Sequence, residues 1–240
     1  ILGGEGNVTS NADDELNVLL NPDDLPSWYA PLVSGVQAAP RDELVSFRAP
    51  ADAVVRESAV LVLFADGADR GVPGPDVLII ERAADMRSHA GQPAFPGGAR
   101  DPEDADSIAT ALREAQEETG LDATGVAPVA TLPQMWLPPS GFVVTPVLGW
   151  WHEPSPIFAG DPAEVADVHR VAVADMINPT NRVKVSHPSG YVGSGFEVDG
   201  MLVWGFTGLL LDRLFSLAGW EQPWEAAARV VPFDDGWRAS

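Results

Sequence analysis

Glu114, Glu117 and Glu118 stand three and four residues apart in the stretch Arg113-Glu114-Ala115-Gln116-Glu117-Glu118-Thr119-Gly120-Leu121. Residues at that spacing are neighbours on one face of a helix, so a helix here would gather three carboxylates on one side. Ile108, Ala111, Leu112, Ala115 and Thr119 fall on another side and make a core-facing stripe. Like charges at this spacing cost about a few tenths of a kcal/mol per pair on an exposed helix. A hard cation relieves that repulsion. Oxygen ligands suit Mg2+ or Mn2+, and Mg2+ typically works together with substrate phosphates rather than in a closed protein cage. Taken alone, the three acids would read as a solvated face, with Arg113 and Glu117 as an i,i+4 pair. Asp104, Asp106 or Ser107 can cap the start of the helix, and Gly120 sits where a left-handed residue closes one.

The loop before the helix changes that reading. Pro96-Gly97-Gly98 permits a tight turn that brings a backbone carbonyl close to a metal, and glycines beside a helix start can approach phosphate oxygens. Gly98 followed by Arg113 to Leu121 resembles the Nudix box. That pattern is a glycine, five residues, a glutamate, seven residues, then Arg-Glu, an aliphatic, any residue, Glu-Glu, any residue, Gly and an aliphatic. The match is full from Arg113 to Leu121. Upstream, Gly98 lies one residue further from Arg113 than the pattern has it. Ala105 stands in register with the early acid, and Asp104 serves as that acid if the loop carries one extra residue.

A second pattern precedes the box. Arg82-Ala83, Arg87, Gly91 and Phe95-Pro96-Gly97-Gly98 keep the spacing R-A-x3-R-x3-G-x3-F-P-G-G, which resembles the signature of the coenzyme A pyrophosphatase branch of Nudix hydrolases. His89-Ala90-Gly91-Gln92, the longer loop before the helix and Ser140 to Pro146 also look like that branch. The resemblance implies an α/β/α sandwich of the Nudix type with a mixed sheet, to which the Pro- and Trp-containing sequence from Pro26 adds an N-terminal extension. It implies Mg2+ or Mn2+ held by Glu114, Glu117 and Glu118 with the Gly97 carbonyl, and Arg113 orienting Glu117. Glu118, or Glu164 from a later loop, would act as base. Arg82, Arg87, His89, Gln92 and Gly98 would meet a coenzyme A-like nucleotide, to be cleaved into 3′,5′-ADP and 4′-phosphopantetheine. Family members are often dimers, so a homodimer is the assembly to expect. Two rivals stand beside this reading: a hydrolase of ADP-ribose, NADH or another nucleoside diphosphate derivative, and a non-catalytic nucleotide-sensing domain.

The elements that must position these residues follow from the rest of the chain. Its 240 residues suit one domain with elaborations or at most two small ones, and 45% hydrophobic with 20% charged residues describes a soluble globular chain. There is no cysteine, which removes disulfides, thiolate catalysis and cysteine-bound zinc, and is in keeping with a cytoplasmic protein. A net charge of -21 argues against non-specific nucleic-acid binding, which needs a basic surface. The four histidines show no i,i+4 metal pairing. The first residues have neither the basic start nor the apolar run of a signal peptide. Residues 1–25 read as a flexible leader, 26–57 as an extension packing on the domain, and 58–240 as the Nudix domain.

Strands are expected over Ser58–Phe64, Asp76–Arg82, Val126–Trp136 and Phe142–Trp151. A further strand is expected to start at Glu164–Val168 and lead into Val171–Met176. Tyr191–Val198 and Met201–Trp204 read as a hairpin turning at Asp199-Gly200. Thr207–Leu217 has helical spacing and is too short to span a membrane.

Overall fold

The central strand of the fold is β2, Arg56–Asp66, an unbroken β-prone run whose side chains alternate between two cores. The computed structural model of the 240-residue chain describes residues 15–44, 48–50, 53–84, 91–137, 140–188 and 190–233. In chain order the elements are β1 (Asn17–Val18), α1 (Ala30–Ala38), α2 (Arg41–Leu44), β2, β3 (Pro75–Arg82), β4 (Pro93–Ala94), β5 (Gly97–Ala99) and α3 (Ser107–Thr119). There follow β6 (Val126–Thr131), β7 (Met135–Leu137), β8 (Phe142–Trp151), β9 (Val165–Ala172), α4 (Val173–Ile177), β10 (Arg182–Ser186), β11 (Val192–Val198), β12 (Met201–Val203), α5 (Gly205–Leu217) and β13 (Arg229–Pro232).

Nine strands form a mixed sheet in the order β1-β6-β8-β2-β3-β4, with β5 added to β2, β7 to β8 and β9 to β3. Along one side β2 runs parallel to β8 for nearly its whole length, from Arg56↔Phe142 to Ala65↔Trp151. Its other side is shared. β3 takes Phe64–Asp66, while β5 takes Ser58–Val60. The sheet therefore splits between β3 and β5, and the glycine-bearing β5 lies beside α3.

On one face of the sheet, Ala59, Leu61, Leu63 and Ala65 of β2 pack with Leu78, Val147 and Trp151 against Ala111 and Ala115 of α3. On the other, Val62 and Phe64 join Ile79 and Leu148 against Leu32, Val33 and Val36 of α1 and Leu210, Leu211, Leu214 and Phe215 of α5. This is a mixed α/β sandwich with helices on both faces. Among the described residues no helix is long and apolar enough to cross a membrane.

A second sheet of four strands, in the order β12-β11-β10-β13, lies over α5. The hairpin within it turns at Asp199 (φ 49°) and Gly200 (φ 77°), two left-handed residues in a row. The leader expected over 1–25 is described from residue 15 onward. There Asn17–Val18 runs antiparallel to β6, and Leu25 is buried. Tyr29, in the expected extension, is fully buried and donates its hydroxyl to the Gly149 carbonyl at 3.1 Å.

Two expectations need correction. The strand read over Val126–Trp136 is two strands, because Pro133 has no N–H to give and the pairing with β8 is interrupted over 132–134. The run Val171–Met176 is strand only to Ala172. From Val173 it turns into α4, which buries Val173 and Met176 on one side.

Candidate active site

Helix α3 carries the acids, and its ends are set by its own sequence. Asp106 is the cap, its carboxylate accepting the Ala109 N–H at 2.9 Å. Gly120 (φ 66°) closes the helix in the left-handed conformation and returns its N–H to the Gln116 carbonyl at 2.9 Å. Ala111, Ala115 and Thr119 are buried, with Ile108 and Leu112 packed beside them, so the apolar stripe fixes the rotation of the helix. That rotation turns Glu118 toward Gly97 and Glu114 toward Gly98 of β5, while Glu117 stays exposed beside Arg113.

Glu118 is the buried member of the set, 5% exposed. Its Oε2 accepts the Gly97 N–H at 2.8 Å. Burial pushes its carboxyl up to about 7, against the pull of the Gly97 N–H and the Arg82 charge, while Glu114 and Glu164 add to the rise. Glu114 is half-buried, and its carboxyl is also raised, chiefly by burial and in part by Glu117 and Glu164. Gly98 has to lack a side chain, because a Cβ there would stand 2.5 Å from the Glu114 carboxylate. At Gly97 a Cβ would meet the Ala59 carbonyl oxygen at 2.3 Å. The two glycines thus let β5 run flush against β2 and still admit the glutamates.

Arg113 is the brace of the cluster. It donates to Glu114 Oε1 and Glu117 Oε2, both at 3.0 Å, to Asp104 through Nε at 3.0 Å and Nη2 at 2.9 Å, and to the Ala99 carbonyl at 3.1 Å. Asp104, expected as the early acid of the box, is therefore the fork partner of Arg113. That pairing holds its carboxyl far below the usual carboxylate range.

The other residues expected at the site fall around this centre, apart from two. Arg82 is partly buried at the end of β3, near enough for its charge to act on Glu118, and its buried Nε has no hydrogen-bond partner among the described residues. The Gln92 carbonyl accepts the Arg82 N–H at 3.2 Å, closing the loop that leads into β4. Glu164 is exposed just before β9, and its carbonyl accepts the Ala83 N–H at 2.8 Å. Its charge reaches Glu114 and Glu118. Arg87 and His89 lie outside the described residues. Sequence reasoning missed the segment Phe158–Gly160, which lies against the C-terminus of α3. The only local signal there is a Gly-Asp-Pro turn at Gly160-Asp161-Pro162.

Among the described residues no three acidic or histidine side chains form a ready-made metal cage. The donor set nevertheless fits a hard divalent ion in an open site. Its side-chain donors are all carboxylates, and Glu114, Glu117 and Glu118 each keep one oxygen that no described residue hydrogen-bonds. The orphaned Nε of Arg82 beside Glu118 fits a neighbouring anion.

A family model described as NUDIX domain matches residues 50–189, more than half of the chain. Among curated proteins, the chain is similar to an uncharacterized Nudix hydrolase NudL of Photorhabdus laumondii, 41% identical over 106 residues, covering 44% of this chain and 56% of that one. It is also similar to the protein of the same name from Yersinia enterocolitica, 34% identical over 145 residues, covering 59% of this chain and 73% of the relative. The chain thus spans little more than half the length of the first of these relatives. A solved NUDIX hydrolase from Alicyclobacillus acidocaldarius aligns with a TM-score of 0.43 at 21% identity, over 69% of this chain and 93% of that one.

Proposed function

From the premise that the chain belongs to the NUDIX domain family, we propose that it is a divalent-metal-dependent pyrophosphohydrolase of nucleoside diphosphate derivatives, with coenzyme A or a derivative as substrate. The observation that carries the reading is the buried Glu118 carboxylate, set between the Gly97 N–H and Arg82 on the face that also bears Glu114 and Glu117. A solvated acidic face has no reason to bury one of its members. The choice of coenzyme A rests on the signature from Arg82 to Gly98.

Glu114, Glu117 and Glu118 would hold Mg2+ or Mn2+, with the Gly97 carbonyl as a further oxygen donor. The bound ion would supply charge neutralisation at the phosphate oxygens and a lowered pKa for the attacking water. Arg113 holds Glu114 and Glu117 in their rotamers by the two hydrogen bonds described above. Arg82 offers its unpaired Nε to a phosphate oxygen, which a guanidinium matches in shape and charge. Arg87, His89, Gln92 and Gly98 complete the proposed substrate contacts.

In the reaction a water oxygen forms a bond to one phosphorus and the P–O bond of the bridge breaks. The water proton passes to Glu118 or Glu164, and the second phosphate leaves with the bridging oxygen. With coenzyme A the products are 3′,5′-ADP and 4′-phosphopantetheine. A cytoplasmic setting and a homodimeric assembly belong to the same proposal.

The test is product identification after incubation with coenzyme A and Mg2+, with ADP-ribose and NADH in parallel and EDTA as control. Metal-dependent release of 3′,5′-ADP, faster than turnover of the other two, is the expected result. Cleavage of ADP-ribose or NADH alone would keep the helix chemistry and sink the substrate. No cleavage of any of the three would favour a nucleotide-sensing role.

A further inference from the structure

The last carbonyls of an α-helix have no partners within it and must find them elsewhere. In α3 the Gln116 carbonyl is satisfied locally by the Gly120 N–H. The next partners come from the connection between β8 and β9. The Gly160 N–H donates to the Glu118 carbonyl and the Phe158 N–H to the Thr119 carbonyl, both at 2.9 Å. The segment that caps this helix is therefore bonded to the backbone of Glu118 itself.

The fit at this cap leaves no room for a side chain. A Cβ on Gly160 would stand 1.8 Å from the Glu117 carbonyl oxygen, a backbone atom that cannot swing away. At Gly120 the position of a Cβ is filled by the Phe158 ring, at 2.4 Å. The two glycines interlock the segment with the helix end.

Beyond Gly160 the chain makes one tight turn and arrives at Glu164. The Ala163 N–H donates to Asp161 Oδ1 at 2.8 Å, and the Glu164 and Val165 N–H groups donate to the Asp161 carbonyl at 2.9 and 2.8 Å. The Glu164 carbonyl then takes the Ala83 N–H, beside Arg82. Glu164 is thus tied to the end of α3 on one side and to the end of β3 on the other. These are the two elements that carry Glu118 and Arg82.

We infer that Gly160 is a positioning residue: by capping α3 at Glu118 with no side chain in the way, it sets where Glu164 stands relative to the Glu114 and Glu118 carboxylates. The inference rests on the proposed function for its catalytic meaning. The placement itself can be read from metal binding alone.

The experiment is a double-mutant cycle of Gly160→Ala, Glu164→Gln and the pair, with Asp161→Ala as a second way to loosen the turn. Mn2+ affinity is measured by electron paramagnetic resonance without substrate, and kcat and KM are measured with coenzyme A and Mg2+. Gly160→Ala is expected to weaken Mn2+ about fivefold and lower kcat about tenfold with KM within about twofold, and the double variant to be no worse than Glu164→Gln alone, because sites that act as one do not add. Asp161 is exposed and its substitution creates no clash. Its loss should move both readouts in the same direction by about two- to threefold, which keeps the inference testable should Gly160→Ala not fold. Additive losses in the double variant, or a folded Gly160→Ala equal to wild type in both readouts, would overturn it. Failure to turn over any nucleotide would remove the proposed function, while the Mn2+ cycle would still decide the positioning of Glu164.

Discussion

Two clusters of acids and arginines lie on this sheet, and they are built to opposite rules. In the first, Arg170 donates to Asp76 at 3.0 Å, to Asp69 at 2.6 and 3.0 Å and to the Asp66 carbonyl at 3.3 Å, with Arg70 standing 3.6 Å from the other oxygen of Asp76. Two arginines face two aspartates, and the Arg170 guanidinium lies 5.2 Å from the centroid of the Trp151 ring. In the second, Arg113 and Arg82 are set among Asp104, Glu114, Glu117, Glu118 and Glu164. The first cluster is balanced and pins the turn after β2 to β9. The second carries a surplus of negative charge next to a buried carboxylate, an arrangement that costs stability until a cation arrives. The first arrangement suits a structural ion cluster, and the second suits the metal site proposed above.

The largest effect that separates the two comes from removing one acid from each. Glu118→Gln is nearly isosteric and removes a charge that burial already disfavours, so the fold should be kept or strengthened. Its kcat with coenzyme A and Mg2+ should fall about a thousandfold or more, on the order of 4 kcal/mol of transition-state stabilisation. Asp76→Ala should do the reverse. Breaking a buried pair by deleting one partner costs about 3–5 kcal/mol, read as a lowered midpoint in urea, while kcat per folded molecule stays at the wild-type value. Equal activity in Glu118→Gln, or an Asp76→Ala protein that is stable but inactive, would break the contrast.

Much of the second cluster was legible in the sequence, because its parts are local. The helix follows from the spacing of Ile108, Ala111, Leu112 and Ala115, its stop from Gly120, and the acid face from positions 114, 117 and 118. The first cluster was invisible, since Arg170 and Asp76 are 94 residues apart and nothing local marks either as half of a pair. The same holds for β10 and β13, which pair parallel across a long connection and are too short for their alternation to stand out. Gly160 escaped for a related reason. Its need for an absent side chain comes from the Glu117 carbonyl, far away in sequence. At α4 the expected strand stops at Ala172, and packing of Val173 and Met176 against the core goes with the turn into helix.

An intermediate effect sharpens the comparison through pH. Burial raises the Glu118 carboxyl to about 7 in the metal-free fold, above the ordinary value it regains on unfolding. The folded state therefore holds a proton that the unfolded chain gives up at about pH 4.5, and the stability this brings is complete below that pH and lost as pH rises toward 7. Urea unfolding of metal-free protein should show a decline of about 2 kcal/mol across that window, because each tenfold difference in proton affinity between the folded and unfolded states is worth about 1.4 kcal/mol before solvent relaxation is allowed for. Glu118→Gln should remove this contribution and leave those of the other shifted carboxyls, Asp76 and Glu114 raised by burial and Asp104 lowered by Arg113. Mn2+ should restore stability at pH 7 more than at pH 5, since protons and metal compete for the same oxygens. A Glu118→Gln curve parallel to that of the wild type in EDTA would mean that Glu118 gains no proton affinity on folding.

The smallest expected effect tests whether the surplus is organised as well as present. Asp104 accepts both arms of the Arg113 fork, and the same guanidinium holds Glu114 and Glu117. Asp104→Asn keeps the shape and one acceptor oxygen but loses the charge and one of the two bonds. Arg113 would then lean on the glutamates alone, which draws them toward the guanidinium and away from a metal. The expected loss is about three- to tenfold in kcat at saturating Mg2+, on the order of 1 kcal/mol, the scale of one charge-assisted hydrogen bond. The Mg2+ concentration for half-maximal rate should rise by a similar factor, while KM for coenzyme A stays within about twofold, because the substitution touches the brace and not the substrate contacts. A rise in KM with kcat unchanged would place Asp104 among the substrate contacts. No change in any of the three would mean that Glu114 and Glu117 hold their positions without the brace, and that the charge surplus alone sets the site.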